Sequence, residues 1–305
     1  MALLARAAPE NVPGDLFVDD TCIACDTCRA LAGETFGGGE DDRAFVARQP
    51  ADPEARRRAL LALVACPVAA IGSRSKEGVA EAAAAFPVPF APGVLRCGYA
   101  AESSFGAASW LVLRPDGNVL VDSPRFAAPL LARLRALGGV RTLFLTHRDD
   151  VADHRRWREA LGCERVLHAR DVSPSPAPLR GAAEIRGQAG GTRDVERRVE
   201  GDAPVPLRPG LLAVPVPGHT AGSCALLADG TYLFTGDHLW GDAAGRLGMS
   251  RAVCWWDWDA QRKSIAKLEA LPFLWVLPGH GRPWRASSRA EAAGAVAALA
   301  RTLGA

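Results

Sequence analysis

The sequence predicts an α+β fold in two parts: a small N-terminal domain over residues 1–80 and a larger one over 98–305, joined by a linker at 81–97. Three observations carry that expectation. The segment VAEAAAAFPVPFAPG breaks the composition near residue 80 with three prolines and a glycine, which fits a short helix followed by extended chain. Of the eight cysteines, Cys22, Cys25, Cys28 and Cys66 crowd the first quarter, whereas Cys97, Cys163, Cys224 and Cys254 are scattered singly. Beyond residue 98, short apolar runs suited to strands alternate with helical periodicities.

In order, LFVDD reads as a short strand, TCIACDTCRALAG as a loop running into a helix, and PEARRRALLALVACPVAAIG as a helix stopped at Cys-Pro. SWLVLRPDGNVLVDS is a hairpin turning at Pro115, Asp116 and Gly117. The helix PLLARLRALGG, the strand RTLFLTH, the helix WREALG and the strands RVLHARDV and LLAVPVPGH follow. A second hairpin, SCALLADGTYLFTGDHLW, a last strand, FLWVLPGH, and a closing helix, RAEAAGAVAALARTLG, complete the chain. The Pro-, Gly- and Arg-rich segment 173–209 is a long surface loop or a set of weakly paired edge strands.

A chain of 305 residues with 49% apolar content can fill cores of this size. No run approaches the ~18 apolar residues of a membrane span, and MALLARAAPENVPGD lacks an apolar stretch with a cleavage site, so a cytoplasmic protein without membrane contact is expected. Thirty-six basic against thirty-four acidic residues give a net charge of +2, which provides no field to gather a phosphate backbone. Nucleic acid is therefore not an expected partner. Without a secretion signal the cysteines are expected as thiols or metal ligands rather than disulfides.

Three cysteines spaced C-x2-C-x2-C can wrap one loop around a cube-shaped cluster, and a distant Cys followed by Pro can close its fourth corner. FVDDTCIACDTCRALAGETF and then ACPVAAI resemble a single-cluster bacterial-type ferredoxin across roughly 60 residues. The resemblance implies a 4Fe-4S cluster on Cys22, Cys25, Cys28 and Cys66. A four-cysteine structural zinc and free buried thiols are the competing readings, although zinc ribbons present two pairs of cysteines rather than a triplet plus one.

Four later strings, THRDDVADH, PGHTAGS, FTGDHLW and LPGHG, each place a ligand type where an apolar strand ends. Together they resemble the metallo-β-lactamase superfamily in its glyoxalase II-like version, from about Gly98 to the C-terminus. The resemblance implies a four-layer αββα sandwich and a site for one or two metal ions. It makes His219, Asp237 and His280 ligands, with Asp237 bridging, and Asp122 a buried carboxylate that orients the site. His147 matches the first histidine of HxHxDH, and Asp153 with His154 match its final pair. Asp149 stands where the second histidine is usual, and two extra residues precede the final pair.

Were the next helix to start with Asp150 as its N-cap, Asp153 would fall in the first turn and His154 one turn from Asp150 on the same face. Asp150 is then a cap, a ligand or both. Alternatively Asp149 and Asp150 only cap the helix, and one metal remains. Exchanging imidazole for carboxylate shifts preference from zinc toward iron or manganese, while affinity order favours zinc, so iron or zinc comes ahead of manganese. The flavodiiron branch also carries a carboxylate there and binds two irons. His168 finishes a strand or donates to a substrate, His238 points away from Asp237 along its strand or joins it, and Trp240, Trp255, Trp256 and Trp258 read as core or pocket wall.

The expected function is a metal-dependent hydrolase in which a metal-activated water attacks an ester, thioester or related bond of a small molecule. His147, Asp149 and His219 would hold the first metal and Asp153, His154 and His280 the second, with Asp237 linking them. Asp237 and Asp153 are the expected catalytic residues. The alternative is a diiron oxidoreductase that takes electrons from the 4Fe-4S cluster, supplied by a redox partner protein, to reduce oxygen, nitric oxide or a peroxide. In a third reading neither site turns over substrate: the cluster stabilises or senses, and the altered motif is a remnant.

Overall fold

The computed structural model describes residues 2–173, 191–242 and 244–304. Strand alternation builds two sheets. The first has seven strands in the order Arg197–Val199, Glu164–His168, Thr142–Phe144, Val119–Val121, Trp110–Val112, Val94–Arg96, Val88–Ala91. The second has six: Val205–Arg208, Leu211–Pro215, Cys224–Ala228, Tyr232–Gly236, Trp275–Pro278, Trp284–Arg285.

Because successive side chains of a strand leave opposite faces, each sheet feeds two layers. Trp110, Val112, Val119 and Val121 pack inward against Cys224, Leu226, Ala228 and Phe234 of the other sheet. Leu111 and Leu120 point the other way, into the layer of the helices Ala128–Ala136 and His154–Leu161 through Leu130, Leu134 and Trp157. On the far side, Ala225, Leu227 and Leu233 meet Ile265, Leu268, Ala292 and Val296 of the helical segments between Trp258 and Leu303. The result is the αββα sandwich. Its closing helix, Arg289–Leu303, starts at a reciprocal cap in which Ser288 accepts from Glu291 N–H and the Glu291 carboxylate accepts from Ser287 N–H, and it ends at left-handed Gly304.

The small domain contributes two short two-stranded sheets, Leu16–Val18 with Ile71–Ser73 and Phe36–Gly38 with Ala44–Val46. Its long helix, Pro53–Ala65, has Asp52 as N-cap, accepting from Ala55 N–H at 2.8 Å, and Pro at its first position. Its core residues Ala59, Leu60 and Leu61 join the same apolar layer as Leu130 and Leu134, so the small domain packs on the outer helices of the sandwich.

The segment expected as a linker at 81–97 is structured. It carries part of the helix Val79–Ala85 and both outer strands Val88–Ala91 and Val94–Arg96, paired antiparallel. Of the three prolines that suggested a linker, Pro89 sits on the edge strand Val88–Ala91, where a missing N–H costs nothing, and Pro87 and Pro92 flank it. Within 173–209, Arg197–Val199 and Val205–Arg208 are edge strands, one in each sheet, and residues 174–190 lie outside the described residues.

Several pairs are parallel: Val119–Val121 with Thr142–Phe144, Thr142–Phe144 with Glu164–His168, and Tyr232–Gly236 with Trp275–Pro278. Their carboxyl ends therefore open on one edge of the sandwich, where loops from parallel strands converge.

Candidate metal centres

The cysteine site is local in origin. Ala24 and Asp26 adopt the left-handed conformation at φ 59° and 63°, unusual for residues with a side chain, and so curl the loop between the three closely spaced thiols. Cys22, Cys25, Cys28 and Cys66 line one cavity, and none of them is in a disulfide. Burial pushes the Cys28 thiol up, and the thiols of Cys25, Cys22 and Cys66 add to it, which records their closeness. Ala44 N–H donates to Cys22 Sγ and Ala70 N–H to Cys66 Sγ, each at 3.3 Å. Four converging sulfurs with backbone N–H groups aimed at two of them fit an iron–sulfur cluster.

The second site gathers side chains from the ends of separate strands. His147 follows Thr142–Phe144, His219 follows Leu211–Pro215, Asp237 follows Tyr232–Gly236 and His280 follows Trp275–Pro278. Asp237 Oδ2 lies 3.8 Å from His147 Nε2, 3.6 Å from His219 Nε2 and 3.8 Å from His280 Nε2. Asp149 Oδ2 is 3.3 Å from His219 Nε2 and 3.9 Å from His147 Nε2. His147, His219 and Asp237 form one compact set of donor atoms, and Asp150, Asp237 and His280 a second that shares Asp237.

The imidazoles are oriented from behind. His219 Nδ1 donates to the Val253 carbonyl at 2.6 Å, which leaves the Nε2 lone pair facing the site. His147 Nδ1 is 2.9 Å from Thr146 Oγ1, itself 2.9 Å from Asp122 Oδ1. The assignment that satisfies all three has imidazole donating to hydroxyl and hydroxyl to carboxylate, again freeing Nε2. Gly236 has φ +50°, and a Cβ there would stand 2.3 Å from Thr146 Oγ1, so only glycine leaves room for this relay. Asp171, wholly buried, accepts from Thr220 Oγ1 at 2.6 Å, Gly222 N–H at 2.8 Å and Arg148 N–H at 3.0 Å. It thereby ties the His147 loop to the His219 loop.

The electrostatics call for a cation. Burial, with the charges of Asp237, Asp122 and Asp149, pushes Asp150 well above the carboxylate range, and burial raises Asp122 to about 8. His147 is held down by burial, whereas Asp149 stays below its ordinary value because His219 and His147 outweigh its burial. His147 Nε2, His219 Nε2, Asp150 Oδ2 and Asp237 Oδ1 are all buried without a hydrogen-bond partner. Such groups are costly to bury unless something pairs them. A Cβ on Gly279 would stand 2.9 Å from both Asp150 Oδ2 and Asp237 Oδ1, in the space between those oxygens. Mixed imidazole and carboxylate donors around such a space fit a divalent metal.

Asp153 and His154, expected as ligands of the second metal, are not brought into these groups. The helix starts at His154 rather than next to Asp150, with Asp153 at its N-cap position. Asp153 Oδ2 accepts from Phe126 N–H at 2.7 Å, and the buried His154 has its Nδ1 3.1 Å from the Arg165 guanidinium. The two extra residues displace this pair onto the helix and leave Asp150 facing Asp237 and His280. His168 is structural: Nδ1 accepts from Arg170 N–H at 3.2 Å and Nε2 donates to the Gly201 carbonyl at 2.9 Å. His238 is buried, driven down to about 3 by that burial, and stands outside both groups. Trp255 lies 6.0 Å from His219, ring to ring, and both Trp255 and Trp256 are exposed. Thr146, Asp171 and the Val253 carbonyl escaped sequence reading. Thr146 alone had a signal, since it directly precedes His147.

Residues 104–280 match the model of the "Metallo-beta-lactamase superfamily", and residues 18–73 that of the "4Fe-4S single cluster domain of Ferredoxin I". Among solved structures, the BLEG-1 B3 metallo-beta-lactamase is 20% identical, with 59% of this chain and 89% of that one covered at a TM-score of 0.49. TTHA1623 in a di-iron-bound form is 24% identical, with 70% and 98% covered at 0.46. FIM-1 from Pseudomonas aeruginosa, in a mono-zinc form, is 17% identical, with 70% and 94% covered at 0.49. No curated protein matches the chain. No helix among the described residues is long and apolar enough to cross a membrane.

Proposed function

The chain belongs to the metallo-beta-lactamase superfamily and carries a 4Fe-4S single-cluster domain, and from that premise we propose that it is a metal-dependent hydrolase of small-molecule esters, thioesters or related compounds. The observation that carries this reading is the convergence of four buried, unpartnered donor atoms, from His147, His219, Asp150 and Asp237, on one edge of the sandwich. His147, Asp149, His219 and Asp237 would hold one ion, and Asp150, Asp237 and His280 the other, with Asp150 taking the place expected for Asp153 and His154. When bound, such ions lower the pKa of a water and polarise the bond under attack.

The chain's own groups do the rest. Asp122 and Thr146 fix the His147 ring, the Val253 carbonyl fixes His219, and Asp171 locks the two loops together. Phe105 and Trp255 are exposed beside His280 and His219 and offer apolar walls to a substrate. The test is to load the purified protein with zinc or iron and assay aryl esters, thioesters and phosphodiesters. Metal-dependent turnover that disappears in Asp237→Ala is the expected result. A loaded protein inert toward all three classes would remove the reading.

A second reading, a diiron oxidoreductase fed by the cluster, draws on the three carboxylates Asp149, Asp150 and Asp237, which favour harder metals than zinc. Two irons at this site after anaerobic purification, reoxidised by oxygen once reduced, would favour it over hydrolysis.

A further inference from the structure

We infer that the turn Ser104–Gly106 couples the cysteine site to the histidine–aspartate site, so that a change of charge at one is felt at the other. The inference rests on the reading of both sites as occupied centres. On one side, Gly106 has φ +85°, and a Cβ there would stand 2.8 Å from Cys25 Sγ and 2.9 Å from Thr27 Oγ1. Thr27 Oγ1 donates to the Gly106 carbonyl at 2.9 Å in a buried contact between the two domains. On the other side, the Phe105 ring is 6.2 Å from the His280 ring, and Ser104 Oγ donates to the Asp149 carbonyl at 3.5 Å. Just beyond the turn, Ala108 N–H donates to the carbonyl of Gly279, the residue before His280, at 2.8 Å.

A second contact runs parallel to the first. The buried Arg96 guanidinium, acted on by Asp26 and Cys25, stands 5.8 Å from the Trp110 ring centroid. Trp110 Nε1 donates at 3.1 Å to the carbonyl of Pro278, at the end of the strand that delivers His280. Ser104 and Phe105 thus reach Asp149 and His280, and the next residue, Gly106, abuts Cys25.

Chain geometry across one turn keeps the centres within roughly 20 Å of each other. One-electron reduction of a cluster by an external low-potential donor adds one negative charge, and a divalent ion brings two positive ones. At an effective dielectric near 20 that pairing shifts an equilibrium on the order of tenfold. Linkage makes the effect reciprocal: a loaded metal site favours the reduced cluster, and a reduced cluster tightens metal binding by the same factor.

The test uses the full chain, purified anaerobically with its cluster intact, and Zn2+ as a redox-silent probe. The cluster's reduction potential is measured by spectroelectrochemistry with and without zinc, in the native protein and in Asp237→Ala. The expected result is a rise on zinc loading of about 59 mV, the one-electron equivalent of tenfold, and no rise in the variant. Zinc retained with an unchanged potential would overturn the coupling while leaving the metal-site reading intact. Zinc not retained at all would overturn both. A shift without ester turnover supports the coupling and counts only against hydrolysis. Gly106→Val is expected to change the cluster's electron paramagnetic resonance spectrum and the zinc affinity together. If it does not fold, Thr27→Val, which removes one hydroxyl, is expected to do the same in smaller measure. A change in the spectrum with zinc affinity untouched would exclude the turn as the link.

Discussion

The cysteine site and the histidine–aspartate site both gather electron-rich side chains around a space for metal, yet they use the chain in opposite ways. Three of the four thiols fall between Cys22 and Cys28, in a loop whose left-handed Ala24 and Asp26 aim them inward, and Cys66 is delivered by the end of one helix. The imidazoles and carboxylates come from loops spread from His147 to His280, and they meet only because parallel strands end on the same edge. The first site depends on local backbone, the second on the register of two sheets. The thiols also have N–H donors on sulfur, while the second site is held by buried relays through Thr146 and Asp171.

The largest expected effect strikes the second site at its shared ligand. Asp237→Ala removes the oxygen that stands within 3.8 Å of all three imidazoles, and metal affinity there is expected to fall by about a hundredfold or more, with the cluster's visible absorption retained. Metal analysis alongside absorption checks this, and parallel loss of both centres would erase the distinction drawn above.

Next comes the contrast between neighbouring aspartates. Asp150→Ala is expected to cost one of two bound metals, whereas Asp153→Ala keeps both and lowers stability by about 1 kcal/mol, because Phe126 N–H loses its acceptor. Metal stoichiometry with urea unfolding separates the two, and metal lost only from Asp153→Ala would restore the register expected from HxHxDH.

The supporting relay should matter less. Thr146→Val breaks the hydrogen-bonded path from Asp122 to His147 and is expected to weaken metal binding roughly 10- to 100-fold, with Thr146→Ser close to native. Equal losses in both variants, by competition with a chromogenic chelator, would assign Thr146 a packing role instead.

The smallest effect lies outside both sites. Burial raises Glu196, but hydrogen bonds from Arg165 and Arg158 outweigh it and hold the carboxyl at about 2. A depressed folded value means stability that is present above the unfolded pKa of 4.5 and is lost as pH falls from there toward about 2. Glu196→Gln is expected to cost about 1 kcal/mol at pH 7 after solvent screening, and nothing near pH 2. Urea unfolding at the two pH values reads the difference, and at pH 7 the variant should keep the metal content of the native protein.

Much of the fold was legible because alternation is a strong signal. The hairpin over SWLVLRPDGNVLVDS, the strand RTLFLTH and the capped final helix all stand where their patterns place them. The supposed linker failed because proline on an edge strand looks the same in sequence as proline in a connector. In the site, His147, His219, Asp237 and His280 sit at strand ends, where a motif and a spacing suffice to place them together. Asp153 and His154 stand outside the two donor groups because an insertion shifts a helix start without altering residue types. Asp171 had no signal, since its partners Thr220 and Gly222 lie on a loop far along the chain.

The amino-acid order alone settled which residues line the cysteine loop, where strands and helices run, and which side chains belong at strand ends, since each follows from neighbours a few positions away. Tertiary structure decided that Asp150 rather than Asp153 faces Asp237, that Asp171 joins two ligand loops, and that Gly106 touches the cluster site one residue from a phenyl ring beside His280. Those outcomes depend on how two sheets and a small domain stack, and stacking is set by the summed burial of apolar faces distant in the chain rather than by any local pattern.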